Sequence, residues 1–168
     1  MIRVRHAGPR DADAWLALRA ALWPDDDEGA IEVARFFAEP DRRGGLLPEA
    51  VLVAADDDAS AELVGFAEVS RRAYAEGCET SPVGFLEGWY VVPERRRQGI
   101  GRALLAAAEA WARALGCREF ASDTLADNAP STRAHRALGF EEVEVIRCFR
   151  KTLASDLVVG SPAARSAS

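Results

Sequence analysis

The sequence predicts a single α/β (α+β) domain in which a central mixed sheet is flanked by helices. Strand-like and helical segments follow one another in the order β-α-α-β-β-β-α-β-α-β. Two strand-like runs near the middle are separated by a short acidic turn, which is typical of a β-hairpin. No internal repeat interrupts this order, and 168 residues are enough for one domain with its own core.

The first part of the chain predicts one strand and two helices. Residues 2–6 alternate apolar and polar side chains, which favours a strand. After Pro9, the apolar residues recur at helical spacing, and the helix should end near Trp23 because Pro24 disfavours helix in the preceding residue. The acidic run 25–28 leads into a second helical pattern that ends near Pro40.

The middle of the chain predicts three strands. Residues 50–55 and 63–71 form the hairpin, and the acidic residues 56–58 make its turn. Residues 73–82 contain Gly77 and Pro82 and are expected to form a loop. Residues 85–92 form the next strand, which Pro93 ends.

The last part predicts two helices, each followed by a strand. A long Ala/Leu-rich helix over 101–115 should stop at a glycine, Gly116, and a short strand follows over 118–122. A helix over 128–138 precedes Gly139, and residues 140–152 fit a final strand. We expect the domain to occupy residues 1–153, with a disordered Ala/Ser-rich tail over 154–168.

Composition excludes several classes of function. The formal net charge of −6 disfavours a nucleic-acid-binding protein and suits a cationic small substrate. No apolar run reaches the ~20 residues that a membrane helix needs, and the N-terminus lacks the layout of a secretion signal, so we expect a cytoplasmic protein. The 3 cysteines show no CxxC spacing, and with only 2 histidines we expect no metal site.

The segment from Val91 to Arg102 passes from a strand through a glycine-containing loop into a helix. The free N–H groups at a helix start and the helix dipole favour a phosphate there, and the neighbouring arginines would add charge-assisted contacts. The segment lacks both the Gly-Lys-Ser/Thr of a P-loop and the GxGxxG of dinucleotide-binding folds. Taken alone, it is equally compatible with a helix start whose arginines are merely solvated.

The pattern Arg96-x-x-Gly99-x-Gly101 resembles the pyrophosphate loop of the GNAT superfamily of acyl-CoA-dependent N-acyltransferases. The resemblance implies a mostly antiparallel GNAT sheet and acetyl-CoA as cosubstrate. It also implies that CoA is bound by the loop, by the preceding strand and by one asparagine farther along the chain. These residues are Trp89, Tyr90, Val91, Arg97, Gln98, Gly99, Ile100, Gly101, Arg102 and Asn128.

A narrower resemblance covers most of residues 1–152. Several strings, among them Leu22-Trp23-Pro24, Ala121-Ser122-Asp123-Thr124 and Ala137-Leu138-Gly139-Phe140, are similar to those of the aminoglycoside 6'-N-acetyltransferases. The resemblance implies transfer of an acetyl group to the 6'-amine of these antibiotics, with resistance as the result. It also implies a homodimer, because these enzymes commonly pair through their C-terminal strands.

Aminoglycosides carry several positive charges, so their pocket needs carboxylates and flat aromatic faces. The candidates for substrate binding are Trp23, Asp26, Tyr74, Glu87, Asp123 and Glu144. Each also has a purely structural interpretation: Trp23 as a core residue, Tyr74 as the cover of a loop, and Glu144 as a solvated strand residue. Asp26 takes a position that some relatives fill with histidine.

The expected mechanism is direct attack of the amine on the thioester in a ternary complex. Asp123 and Glu87 would bind and orient the amine, and proton loss would go to water or through a carboxylate–water chain. His135 stands where many superfamily members have a tyrosine that protonates the leaving thiolate, and it is either this acid or a packing residue. Alternatives are acetylation of another polyamine or a peptide amine, and an inactive acetyl-CoA-binding regulator.

Overall fold

The computed structural model describes residues 1–42, 47–56 and 62–153, with only the backbone of Arg42. Within them, five strands form one sheet in the order β1-β2-β3-β4-β5. The strands are β1 (Ile2–His6), β2 (Ala50–Asp56), β3 (Glu62–Arg72), β4 (Val83–Val91) and β5 (Phe120–Ser122). The helices are α1 (Ala12–Leu22), α2 (Gly29–Ala38), α3 (Ile100–Ala114) and α4 (Ala129–Ala137).

The first four strands are antiparallel neighbours, and β5 joins β4 in parallel. This arrangement confirms the mixed, mostly antiparallel sheet and the hairpin between β2 and β3. The turn expected at 56–58 lies mostly outside the described residues, since only Asp56 is described, at the end of β2.

Helices cover both faces of the sheet, and the alternation of side chains along β2 shows how. Leu52 and Ala54 pack with the apolar side of α3, whereas Val51 and Val53 pack with α1 and α2. Because both faces of β2 are covered, all its residues are buried. None of the described helices is both long and apolar enough to cross a membrane.

The strand expected over 140–152 is wrong. Residues 141–153 have no regular secondary structure and are exposed, including Val145 at 69% and Phe149 at 92%. A strand forms only where another strand pairs with its N–H and C=O groups. Apolar alternation predicted the strand, but the segment forms no ladder with β5, which is only 3 residues long. The tail expected over 154–168 lies outside the described residues.

Candidate active site

The loop between β4 and α3 has the backbone geometry of an anion site. Gly99 precedes α3 with φ of 82°, and Arg97 also takes a left-handed conformation, with φ of 59°. These conformations turn the chain so that the first helical N–H groups, which have no acceptor within the helix, face outwards. Space is open around Gly99, where an added Cβ would meet nothing within 4 Å.

The arginines beside this loop do not all act as expected. The guanidinium of Arg96 folds back over the ring of Tyr90, 5.5 Å from its centroid, and its Nε donates to the Val91 carbonyl at 2.9 Å. Through these contacts with Tyr90 and Val91, Arg96 therefore stabilises the loop against β4. Arg97 and Gln98 are exposed, and the side chain of Gln98 donates to the Glu94 carbonyl at 3.2 Å.

Strand β4 opens away from β5 just before the loop. The two strands pair only over Gly84–Leu86, so the edge of β4 at 89–91 has no strand beside it on the β5 side within the described chain. Trp89 packs against the start of α3, where a Cβ on Gly101 would lie 2.6 Å from its ring. The indole Nε1 of Trp89 is buried and has no hydrogen-bond partner among the described residues.

This buried donor, the free strand edge and the helix start together fit an extended ligand with amide and phosphate groups. Asn128 differs from the expectation, because its side chain caps α4 by accepting from the Ser131 N–H at 3.1 Å. Its proposed contact with the cofactor thus stays a prediction. Among the described residues, no group of three or more His, Cys, Asp and Glu side chains could hold a metal ion.

His135 lies at the opening and has polar partners on both ring nitrogens. Its Nδ1 is 2.8 Å from the Ser131 carbonyl, which can only accept, so Nδ1 carries a proton. Its Nε2 is 3.0 Å from the Ser122 hydroxyl, which is also 3.2 Å from the Leu86 carbonyl. His135 and Ser122 thus connect α4 to β4 through hydrogen bonds.

A cleft of about 570 Å³ lies between β5, α4 and the segment that follows α4. It brings together Asp123, His135 and Glu144, which are far apart in the sequence. Five carboxylates and two arginines line it: Glu76, Asp123, Glu141, Glu142, Glu144, Arg133 and Arg136. This excess of negative charge would attract a cationic ligand.

Glu87 does not line this cleft, and its carboxylate is already paired. It is the residue of β4 that has no direct partner in β3, at a register shift beside Glu68. Arg72 donates to both of its carboxylate oxygens, at 3.2 and 2.6 Å. The same guanidinium lies 3.4 Å from the ring centroid of Phe85, which lines the cleft.

Trp23 and Asp26 lie in a different hollow, of about 490 Å³, together with Glu32. Trp23 covers Gly88, where a Cβ would lie 2.3 Å from its ring, and thus touches β4 beside Glu87. It also contacts Phe66 in the core, with ring centroids 6.2 Å apart. Tyr74 is 65% exposed and precedes two residues that line the first cleft. The six acceptor candidates therefore form no single pocket.

A buried polar cluster behind Glu87 was not expected from the sequence. Glu68 accepts a hydrogen bond from the indole N–H of Trp15 at 2.9 Å, and its carboxylate lies 3.3 Å from Nε of Arg19. Through Nη2, the same arginine pairs with Glu32 at 2.6 Å. Burial raises the pKa of Glu68 to about 7, despite the opposing effect of Arg19. Its position inside a strand gave no signal, since only the tertiary fold brings α1 over it. Ser122 and Arg72 were missed for the same reason.

The chain resembles known proteins over most of its length. The model of the Acetyltransferase (GNAT) family matches residues 14–140. The chain belongs to the GNAT acetyltransferase family. An aminoglycoside N(6')-acetyltransferase type 1 from Klebsiella aerogenes is 52% identical, over 89% of this chain and 96% of that protein. The enzyme of the same name from Stenotrophomonas maltophilia is 48% identical, over 89% and 93%.

Solved structures give the same picture of this GNAT domain. AAC(6')-Iy in complex with the bisubstrate analogue CoA-S-monomethyl-acetylneamine matches with a TM-score of 0.79 and 36% identity, over 91% of this chain and 99% of that one. The GNAT fold and acetyl-CoA as cosubstrate are thereby confirmed. Within the family, this chain groups with the aminoglycoside N(6')-acetyltransferases.

Proposed function

We propose that this protein transfers the acetyl group of acetyl-CoA to the 6'-amine of aminoglycoside antibiotics and thereby confers resistance. The observation that carries the proposal is the acidic cleft, which joins Asp123, Glu144 and His135 beside the open edge of β4. The names of the relatives, at 37–52% identity, support the same acceptor. An acidic cleft beside the donor strand suits a substrate with several ammonium groups.

Acetyl-CoA supplies the acetyl thioester. The backbone of Arg97, Gln98, Gly99, Ile100, Gly101 and Arg102 would hold its pyrophosphate, as the geometry of the α3 start supports. The edge of β4 at Trp89, Tyr90 and Val91 would pair with the pantetheine arm. The unpartnered indole N–H of Trp89 would donate a hydrogen bond to that arm.

Asp123 and Glu87 would bind the acceptor and orient its amine for direct attack in a ternary complex. A carboxylate favours the charged form of a nearby amine, so the proton must leave through water or a carboxylate–water chain before attack. Glu144, Trp23, Asp26 and Tyr74 would contact other parts of a large acceptor, which suits their positions in and around two hollows. Positioning two reactants side by side accounts for much of the rate gain.

His135 would hold the proton that the departing sulfur takes up. The hydrogen bonds from Nε2 to the Ser122 hydroxyl and on to the Leu86 carbonyl connect the ring to β4, and the ring also contacts Trp89 of that strand, with ring centroids 6.0 Å apart. Imidazole can act as an acid near neutral pH.

We further propose a cytoplasmic homodimer that pairs through the C-terminal segment. Val143, Val145, Ile146, Phe149 and Leu153 are exposed, and β5 is an edge strand in the described sheet. Pairing with a second copy would cover both features. The cysteines at 78, 117 and 148 are free, as is usual in a reducing compartment.

The test measures release of free CoA thiol with kanamycin, with spermidine, with an aminoglycoside that lacks a free 6'-amine, and with no acceptor. Of these four assays, we expect turnover only in the one with kanamycin. Turnover with spermidine at equal or higher kcat/KM would favour another polyamine as the acceptor. Release that does not depend on any acceptor, or tight acetyl-CoA binding without turnover, would exclude the proposed activity.

A further inference from the structure

The carboxylate of Glu87 already forms an ion pair within the protein. Arg72 contacts both oxygens, with Nε at 3.2 Å and Nη2 at 2.6 Å, in the forked geometry that makes Arg–carboxylate pairs strong. The side chains remain 40% and 28% exposed, so solvent and ligands can reach the pair. An acceptor ammonium that binds Glu87 must therefore compete with this guanidinium.

The sheet holds Arg72 in place for this contact. Arg72 lies opposite Val83 in the β3–β4 register, so its side chain must cross Phe85 to reach Glu87. Its guanidinium rests on the Phe85 ring, 3.4 Å from the centroid, and this stacking adds a cation–π attraction to the ion pair. Since Phe85 is buried and lines the acidic cleft, the pair lies at the border of that cleft.

We propose that Arg72 is a specificity-determining residue, which competes with the acceptor's ammonium group for Glu87. This inference rests on the proposed function of Glu87. Arg72 opposes binding in two ways, because it occupies the carboxylate and because it repels other cationic groups of the acceptor. An acceptor with several ammonium groups gains enough from the remaining carboxylates of the cleft to displace it, whereas a simple monoamine does not.

The neighbouring residue provides a matched control. Arg71 belongs to the same strand, is 43% exposed and pairs with Glu49 at 2.7 Å, but it lies on the other face of the sheet from Arg72. Arg71→Met and Arg72→Met therefore remove the same charge and a comparable ion pair. They differ in whether the pair involves Glu87.

The experiment compares steady-state kinetics of the full chain with kanamycin and with a simple primary monoamine. For Arg72→Met, we expect the KM for kanamycin to fall about two- to fivefold, the range that partly exposed ion pairs support. We expect a relatively larger gain in kcat/KM for the monoamine, and an unchanged KM for acetyl-CoA. Arg71→Met should leave all of these values unchanged, and Arg72→Lys should fall between the wild type and Arg72→Met.

A double-mutant cycle with Glu87→Gln locates the effect. In that background, the effect of Arg72→Met on the acceptor KM should shrink to the part due to simple charge repulsion. An acceptor KM that stays equal or rises in Arg72→Met, with an unchanged thermal melt, overturns the inference. If the wild type shows no acceptor-dependent CoA release, the proposed function fails instead. Thermal melts of all variants show whether a kinetic change reflects lost folding.

Discussion

The donor and acceptor sides of this molecule are built in different ways. The proposed donor side, from Trp89 to Arg102, is one continuous segment whose binding groups would belong largely to the backbone. The proposed acceptor side would draw single carboxylates from separate places: Glu87 on β4, Asp123 after β5 and Glu144 beyond α4. A backbone site depends on conformation and tolerates side-chain variation. A site made of side chains changes specificity with single substitutions.

The largest expected effect is a loss of kcat/KM from a substitution on the acceptor side. Asp123→Asn should lower kcat/KM for aminoglycosides about a hundredfold, because the amine would lose the carboxylate that is proposed to bind and orient it. The KM for acetyl-CoA should not change. Asp127→Asn, an exposed neighbour that does not line the cleft, is the control. If both variants lost kcat/KM equally, Asp123 would not belong to the acceptor site.

Substitution of the glycine that precedes α3 tests the donor side. Gly99→Ala must adopt a left-handed conformation that costs about 1–2 kcal/mol, and relaxation of the loop should raise the KM for acetyl-CoA about five- to thirtyfold. The acceptor KM should be unchanged. Gly116, at the other end of α3, also has a positive φ, of 84°, and open space around it. Gly116→Ala should thus lose similar stability without a change in either KM.

The smallest expected effect concerns the loop beside the acceptor cleft. The carboxylate of Glu119 accepts from the backbone N–H groups of Glu79 at 2.9 Å and Thr80 at 2.6 Å. These bonds and the Thr80 hydroxyl lower the pKa of Glu119 from its ordinary value of 4.5. Its stabilising effect is therefore present above that value and is lost as the pH falls through the lower, folded-state pKa.

Glu119→Gln should accordingly lower Tm slightly at pH 7 and change kcat/KM for aminoglycosides far less than Asp123→Asn does. The difference in Tm should shrink as the pH falls below 4.5 towards the lowered pKa of the folded state, where the carboxyl of the folded wild type also becomes protonated. Thermal melts of both proteins across this range give the measurement. A difference in Tm that does not depend on pH would mean that Glu119 stabilises the fold by packing and not by the charge of its carboxylate.

Much of the fold was readable from the sequence because its signals are local. The hairpin of β2 and β3, the breaker residues of the 73–82 loop and the glycine after α3 each depend on a few adjacent residues. The final strand was not readable in this way. Apolar alternation over 140–152 indicates a strand, but whether a strand forms depends on a partner elsewhere in space.

The same division applies to the site. By itself, the sequence determined the fold family and predicted the loop before α3 and the acidic residues as site candidates, since these depend on short strings and on backbone conformation. Only the tertiary structure decided which carboxylates share a cleft, that Arg72 occupies Glu87, and that Ser122 meets His135. The Arg72–Glu87 and Ser122–His135 contacts join residues 15 and 13 positions apart, and the packing of the fold sets these distances.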